Sequence, residues 1–183
     1  VTDDLKTVSA FIGIGSNIGD RLQFCQKAVA ALSQHPEIQI TLISSLYETA
    51  PVDFIDQDPF YNAVVAIKTT LSPHLLLKSC QEIEARLHKN IVVSKGPRTI
   101  DLDLLFYGDL ILNAPDLTLP HPEIARRLFV LIPLAEIAAD MLHSVSLCSI
   151  ETLRKTFPPD ALKAVDLRFE RGWEKMLDHV KAS

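Results

Sequence analysis

In the stretch KGPRTIDLDLLFYGD, residues 95–109, two acids stand two positions apart inside an apolar run. Successive side chains of a strand point to opposite faces, so Asp101 and Asp103 share one face while Leu102 and Leu104 take the other. Strand rise sets the two acids about 6–7 Å apart at the main chain, near enough to ligate one hard divalent cation or a close pair of them. A strand end with two solvated acids has the same pattern, so the pair acquires meaning only from its company. That company is Arg98, which follows a Gly96–Pro97 turn and precedes Asp101 by three residues. A guanidinium stays charged at neutral pH and grips phosphate bidentately. Acid pair, cation and metal together point to phosphate chemistry.

Three further places are candidates. Asn62 lies in an apolar strand, where a buried amide is costly unless its donors and acceptor are met, by a ligand or by neighbouring backbone. Phe60, on the same strand face, is either core or a surface on which a planar ring can stack. His121 stands between Pro120 and Pro122 with Arg126 and Arg127 close behind. A lone surface histidine is usually idle, but an imidazole with two guanidinium groups also makes a phosphate cradle, its side chain facing solvent. GIGSNIG does not meet the dinucleotide fingerprint, because after Gly13 and Gly15 the third required position is Ile18 and Gly19 comes one place late. It reads as a tight strand-to-helix turn.

The elements that must position these residues follow from periodicity. TVSAFIGI, residues 7–14, alternates as a strand, and Gly15, Ser16 and Asn17 supply turn and helix-capping chemistry before a helix from about Asp20. Leu22, Cys25, Val29 and Leu32 give that helix one core stripe. IQITLISSLYE is a second strand and FYNAVVAI a third. LSPHLLLKSCQEIEARLHK is a helix with Ser72 as N-cap and Pro73 in the first turn; its core stripe is Leu76, Cys80, Ile83 and Leu87, while Gln81, Glu84 and His88 line a solvated face. Residues 48–59 and 89–97 form long connections of the kind that carry function. The strand of Asp101 follows, and Gly108–Asp109 signals a hairpin into a fifth strand. Strand, helix, strand, strand, helix, strand is the ferredoxin-like βαββαβ order, an α+β fold whose antiparallel sheet carries helices on one face. SIETLRKTF beyond it is helical, and the stretch AVDLRFERGWEKMLDHV has no clear assignment.

At 183 residues and 48% hydrophobic content the chain suffices for one filled core. One domain is expected over 1–183, with a core at about 7–138 and an extension from about 140, complete enough to act independently. A net charge of -5 without a basic run argues against nucleic acid as a partner. Cys25, Cys80 and Cys148 are odd in number and widely spaced, which suggests neither disulfides nor zinc and fits a reducing cytoplasm. No signal peptide or membrane span is indicated, since LFVLIPLAEIAA is broken by Pro133 and Glu136.

With these pieces in order, the sequence resembles the 6-hydroxymethyl-7,8-dihydropterin pyrophosphokinases. GPRTIDLDLLFYG fits the family signature, and GSN at 15–17, YETAP at 47–51, FYNAVV at 60–65 and LTLPHP at 117–122 occur in the family's order. The resemblance implies pyrophosphate transfer from ATP to a pterin alcohol, releasing AMP, in folate synthesis. It implies that Asp101 and Asp103 bind two Mg²⁺ ions bridging the ATP phosphates, with Arg98 and Lys89 contacting those phosphates. Gln81, Glu84, Leu104, Thr118, His121 and Arg127 would surround ATP. Phe60 and Phe129 would sandwich the pterin, Asn62 would answer its amide edge, and Thr49 and Val52 would line that pocket mostly through backbone. A monomer is expected. The sequence departs from the family pattern at Lys89, where an arginine is usual, at Lys95, where an aromatic often sits, and at Asp116, where some members have a basic residue.

Overall fold

The computed structural model describes residues 7–50, 57–87 and 98–175. Strand β1 (Val8–Ser16) alternates between the two faces of the sheet, as its β-branched sequence requires. Helix α1 (Arg21–Ser33) begins at Asp20, whose carboxylate accepts the Gln23 N–H at 3.0 Å. Capping therefore belongs to Asp20, and Asn17, expected to cap or turn, is used elsewhere. The expected second strand is two, β2 (Ile38–Ile43) and β3 (Leu46–Thr49). Between them Ser44 and Ser45 are buried, and the Ser44 hydroxyl accepts the Val64 N–H at 2.9 Å. A side chain thus takes the place of a ladder bond, and the strand divides there.

Strand β4 (Phe60–Thr69) leads to α2 (Pro73–Arg86), whose N-cap Ser72 accepts from Leu75 N–H, and β5 (Asp101–Tyr107) completes the core order. The sheet runs β5-β1-β4-β3, antiparallel throughout, with β2 also on β4. This is the expected α+β, ferredoxin-like arrangement. Helices α1 and α2 press Cys25, Val29, Leu32, Leu76, Cys80 and Ile83 onto Ala10, Ile12, Ile14, Leu102 and Leu104.

The expected hairpin after β5 does not form. Gly108 turns the chain with φ +52°, but β6 (Leu112–Asn113) pairs with β7 (Thr118–Leu119) and not with β5. The outer edge of β5 is already occupied, its Leu102 N–H donating to Glu84 and its Leu105 carbonyl accepting His121 N–H. The C-terminal additions cover the other sheet face. After a 3-10 turn at Ile124–Arg126, α3 (Leu128–Ala138) and α4 (Ile150–Lys155) bury Val64, Leu105 and Phe106 beneath Val130, Leu131, Leu134, Ile150 and Leu153. Past α5 (Pro159–Leu162), the unassigned stretch becomes β8 (Val165–Phe169), antiparallel to β3. Trp173 then enters the helix-side core, its indole N–H donating to the Ser44 carbonyl at 2.9 Å.

Candidate active site

The site residues meet where three strands run side by side. β1 lies between β4 and β5, and Gly15 pairs with Asn62 on one side and Asp101 on the other. Gly13, two residues earlier, likewise lies between Val64 and Asp103. Period-two alternation puts all of these on the sheet face opposite α1 and α2. A Cβ built on Gly15 would stand 3.4 Å from Asn62 Oδ1, 3.9 Å from the Phe60 ring and 4.0 Å from the Asp101 Cβ. Gly15, without a side chain, thus leaves a gap between an amide with an aromatic ring and the first of the two carboxylates, whereas the space over Gly13 is filled by the buried Leu105 side chain.

Asp101 and Asp103 are both half-buried, while Leu102 and Leu104 are buried in the helix-side core. Sequence periodicity anticipated this split. Arg98 donates to Asp101 Oδ2 at 2.5 Å, so the cation beside the acid pair also braces one of its members. Asn62 is buried and donates to Thr49 Oγ1 at 2.8 Å. Its partner is a side chain, the hydroxyl of Thr49. Phe129, on α3, packs over the same sheet face, with the Arg127 guanidinium 5.6 Å from its ring centre.

His121 is half-buried, not solvent-facing, and its Nδ1 accepts Glu123 N–H at 3.2 Å. Burial pushes its pKa below the ordinary histidine value, and nearby Arg127 adds to this against the opposite pull of Glu123 and Asp101. The imidazole is therefore a neutral hydrogen-bonding group at neutral pH and not a second cation. Arg126 is 81% exposed, so of the two guanidinium groups only Arg127 turns inward. Thr118 begins as half-buried on β7.

Two residues placed near the nucleotide by resemblance have other occupations. Glu84 on α2 is not solvated: it is buried and accepts the Leu102 N–H at 2.7 Å, a buried main-chain donor that requires an acceptor. The Leu104 side chain is 3% exposed in the core, which leaves only its main chain for a ligand. Gln81 remains exposed on α2. Val52, Lys89, Lys95 and most of both long connections lie outside the described residues. Gly15 and Asn17 were missed as site residues, although a glycine inside a strand was a readable sign of a close approach there.

Among the described residues no group of three or more His, Cys, Asp or Glu side chains is placed to hold a metal ion. The acid pair nonetheless suits Mg²⁺, which takes hard oxygen donors and needs only one or two carboxylates when substrate phosphates complete its shell.

The α+β domain thus carries an arginine-braced acid on one side of Gly15 and an amide with an aromatic ring on the other, all on one face of its sheet. The family profile of 7,8-dihydro-6-hydroxymethylpterin-pyrophosphokinase (HPPK) matches residues 11–139, and the chain belongs to this family. The 2-amino-4-hydroxy-6-hydroxymethyldihydropteridine pyrophosphokinase of Bacillus subtilis is 48% identical over 128 residues, covering 70% of this chain and 77% of that protein. The folic acid synthesis protein fol1 of Pneumocystis carinii is 44% identical over 148 residues, which span 81% of this chain but only 20% of that longer protein. A crystal structure of a Plasmodium falciparum HPPK-DHPS triple mutant with pteroate superposes with a TM-score of 0.68 at 17% identity, covering 90% of this chain and 47% of that one. That likeness concerns the fold.

Proposed function

We propose that the chain transfers pyrophosphate from ATP to the hydroxymethyl group of 6-hydroxymethyl-7,8-dihydropterin, releasing AMP, in tetrahydrofolate synthesis. The observation that carries this reading is the placement of Asn62 and Asp101 on opposite sides of Gly15 on one sheet face. A pterin whose amide edge meets Asn62, between Phe60 and Phe129, presents its hydroxymethyl arm across Gly15 toward the acids. The alcohol oxygen then attacks the β-phosphorus, and AMP leaves.

Mg²⁺, two ions by resemblance, would sit on Asp101 and Asp103 and neutralise phosphate charge. Arg98 braces Asp101 and faces the phosphates, Arg127 adds a second inward cation, and His121 offers a neutral hydrogen bond. By resemblance, Gln81 and Thr118 flank the nucleotide, Lys89 contacts its phosphates and Val52 lines the pterin pocket. Such chemistry rests on positioning and charge neutralisation and requires no protein nucleophile.

The chain acts as one domain over 1–183, as a monomer, in the cytoplasm, without nucleic acid or membrane partners. No helix among the described residues is long and apolar enough to cross a membrane. The test is a product assay with ATP, Mg²⁺ and 6-hydroxymethyl-7,8-dihydropterin, separating AMP from ADP. Pterin-dependent AMP supports the proposal. ADP would mean a kinase for another alcohol, and ATP binding without product would mean a binding module in which Lys89 and Lys95 cost the chain its turnover.

A further inference from the structure

Asn17 follows β1 and is 2% exposed, yet it caps no helix. Its side-chain amide spans two segments that sequence separates widely. Nδ2 donates to the Asp58 carbonyl and to Gln57 Oε1, both at 3.1 Å, and Oδ1 accepts the Arg98 N–H at 2.8 Å. The Asn17 N–H also donates to the Arg98 carbonyl at 3.2 Å. The partners fix which end of the amide is which, since a main-chain N–H only donates and a carbonyl only accepts.

Asp58 stands two residues before Phe60 and four before Asn62, at the entry to β4; Arg98 stands three before Asp101, at the entry to β5. One buried amide therefore registers the start of the ring-binding strand against the start of the acid-bearing strand. Ser16 reinforces the β5 side through its hydroxyl, which donates to the Thr99 carbonyl at 2.5 Å. The β4 side has an independent hold, because Arg21 donates to the Pro59 carbonyl at 2.6 Å.

We propose that Asn17 is a positioning residue that sets the separation between the pterin pocket and the phosphate-binding edge. It touches no substrate itself; it acts through Asp58 and Gln57 on one side and Arg98 on the other. The inference rests on the pyrophosphokinase reading. It differs from a purely structural role in predicting that the two ligands respond unequally when only one end of the amide is altered.

Asn17→Asp retains an acceptor for the Arg98 N–H but turns the donor facing Asp58 and Gln57 into a second acceptor. It should weaken binding of 6-hydroxymethyldihydropterin at least tenfold, by calorimetry in the presence of a non-hydrolysable Mg·ATP analogue, and change analogue binding less than threefold. Gln57 is only half-buried, so Gln57→Leu folds whether or not Asn17→Asp does, and it should weaken pterin binding about threefold with analogue binding unchanged. Equal weakening of both ligands by Asn17→Asp, or unaltered pterin affinity in Gln57→Leu, overturns the inference. A wild-type chain that binds neither ligand refutes the parent reading and this inference with it. Wild-type binding of both, with both variants binding pterin equally well, refutes the inference alone.

Discussion

The Glu84 carboxylate accepts the main-chain N–H of Leu102 at 2.7 Å, tying α2 to the strand that carries the acid pair. A helix glutamate thereby does the work of a neighbouring strand. Removing it leaves a buried donor unsatisfied, at a cost of about 1–3 kcal/mol. Glu84→Ala should lower Tm without nucleotide present, at about 2–4 °C per kcal/mol for a chain of this size, whereas Glu84→Gln, which keeps an acceptor oxygen, should lower it less. An unchanged Tm in Glu84→Ala would remove this structural role.

The acid pair should be far more sensitive in catalysis than in folding. Asp101→Asn and Asp103→Asn should each reduce kcat/KM by roughly 10²–10³, the scale of losing a charge-stabilising group, and chelation of Mg²⁺ should abolish turnover. Steady-state AMP release across a Mg²⁺ titration checks both, and full activity in either variant would detach that residue from the metal.

Gly15→Ala separates binding from stability. Alanine in a strand interior avoids the entropic cost of glycine, about 0.5–1 kcal/mol, so Tm should hold or rise. The added methyl would nevertheless stand 3.4 Å from Asn62 Oδ1 and narrow the gap between Asn62 and Asp101. KM for pterin should increase about tenfold, equivalent to ~1.4 kcal/mol. Unaltered pterin kinetics would show that the substrate does not pass over Gly15.

Glu48 makes stability depend on acid. Burial pushes its carboxyl up, but bonds from Arg168 and Arg21 outweigh this and hold it below the ordinary glutamate value of 4.5. A carboxylate so depressed contributes stability that is fully present above pH about 4.5 and is lost as pH falls through its lower folded value. The Tm difference between wild type and Glu48→Gln should be positive at pH 7 and shrink below pH 4.5. A difference that is flat across that range would contradict the ion-pair account.

Trp173 lies beyond the segment matched to the family but is 1% exposed in the core. Trp173→Ala should cost about 3–5 kcal/mol, a Tm drop on the order of 10 °C, as a large cavity forms and the Ser44 carbonyl loses its donor. Thermal unfolding followed by circular dichroism measures this directly. A drop of under 2 °C would mean that the C-terminal stretch is dispensable to the core.

Local periodicity was enough to place the two acids on one face, to start α2 at Ser72 and to order the core strands, because alternation and capping act over a few residues of chain. The family signature brought the names of distant site residues, since GPRTIDLDLLFYG is itself a continuous stretch. Tertiary structure alone decided where each polar group finds its partner. Glu84 looked solvated because nothing in its helix shows that a buried main-chain donor of β5 lies beside it. The hairpin signal at Gly108 was sound as a turn, but a turn cannot know that the strand edge it would return to is already bonded. Asn17 looked like a cap because its two segments, at 57–58 and at 98, are 40 and 81 residues away. Hydrogen bonds across such distances depend on how strands stack, and no local pattern of side chains encodes them.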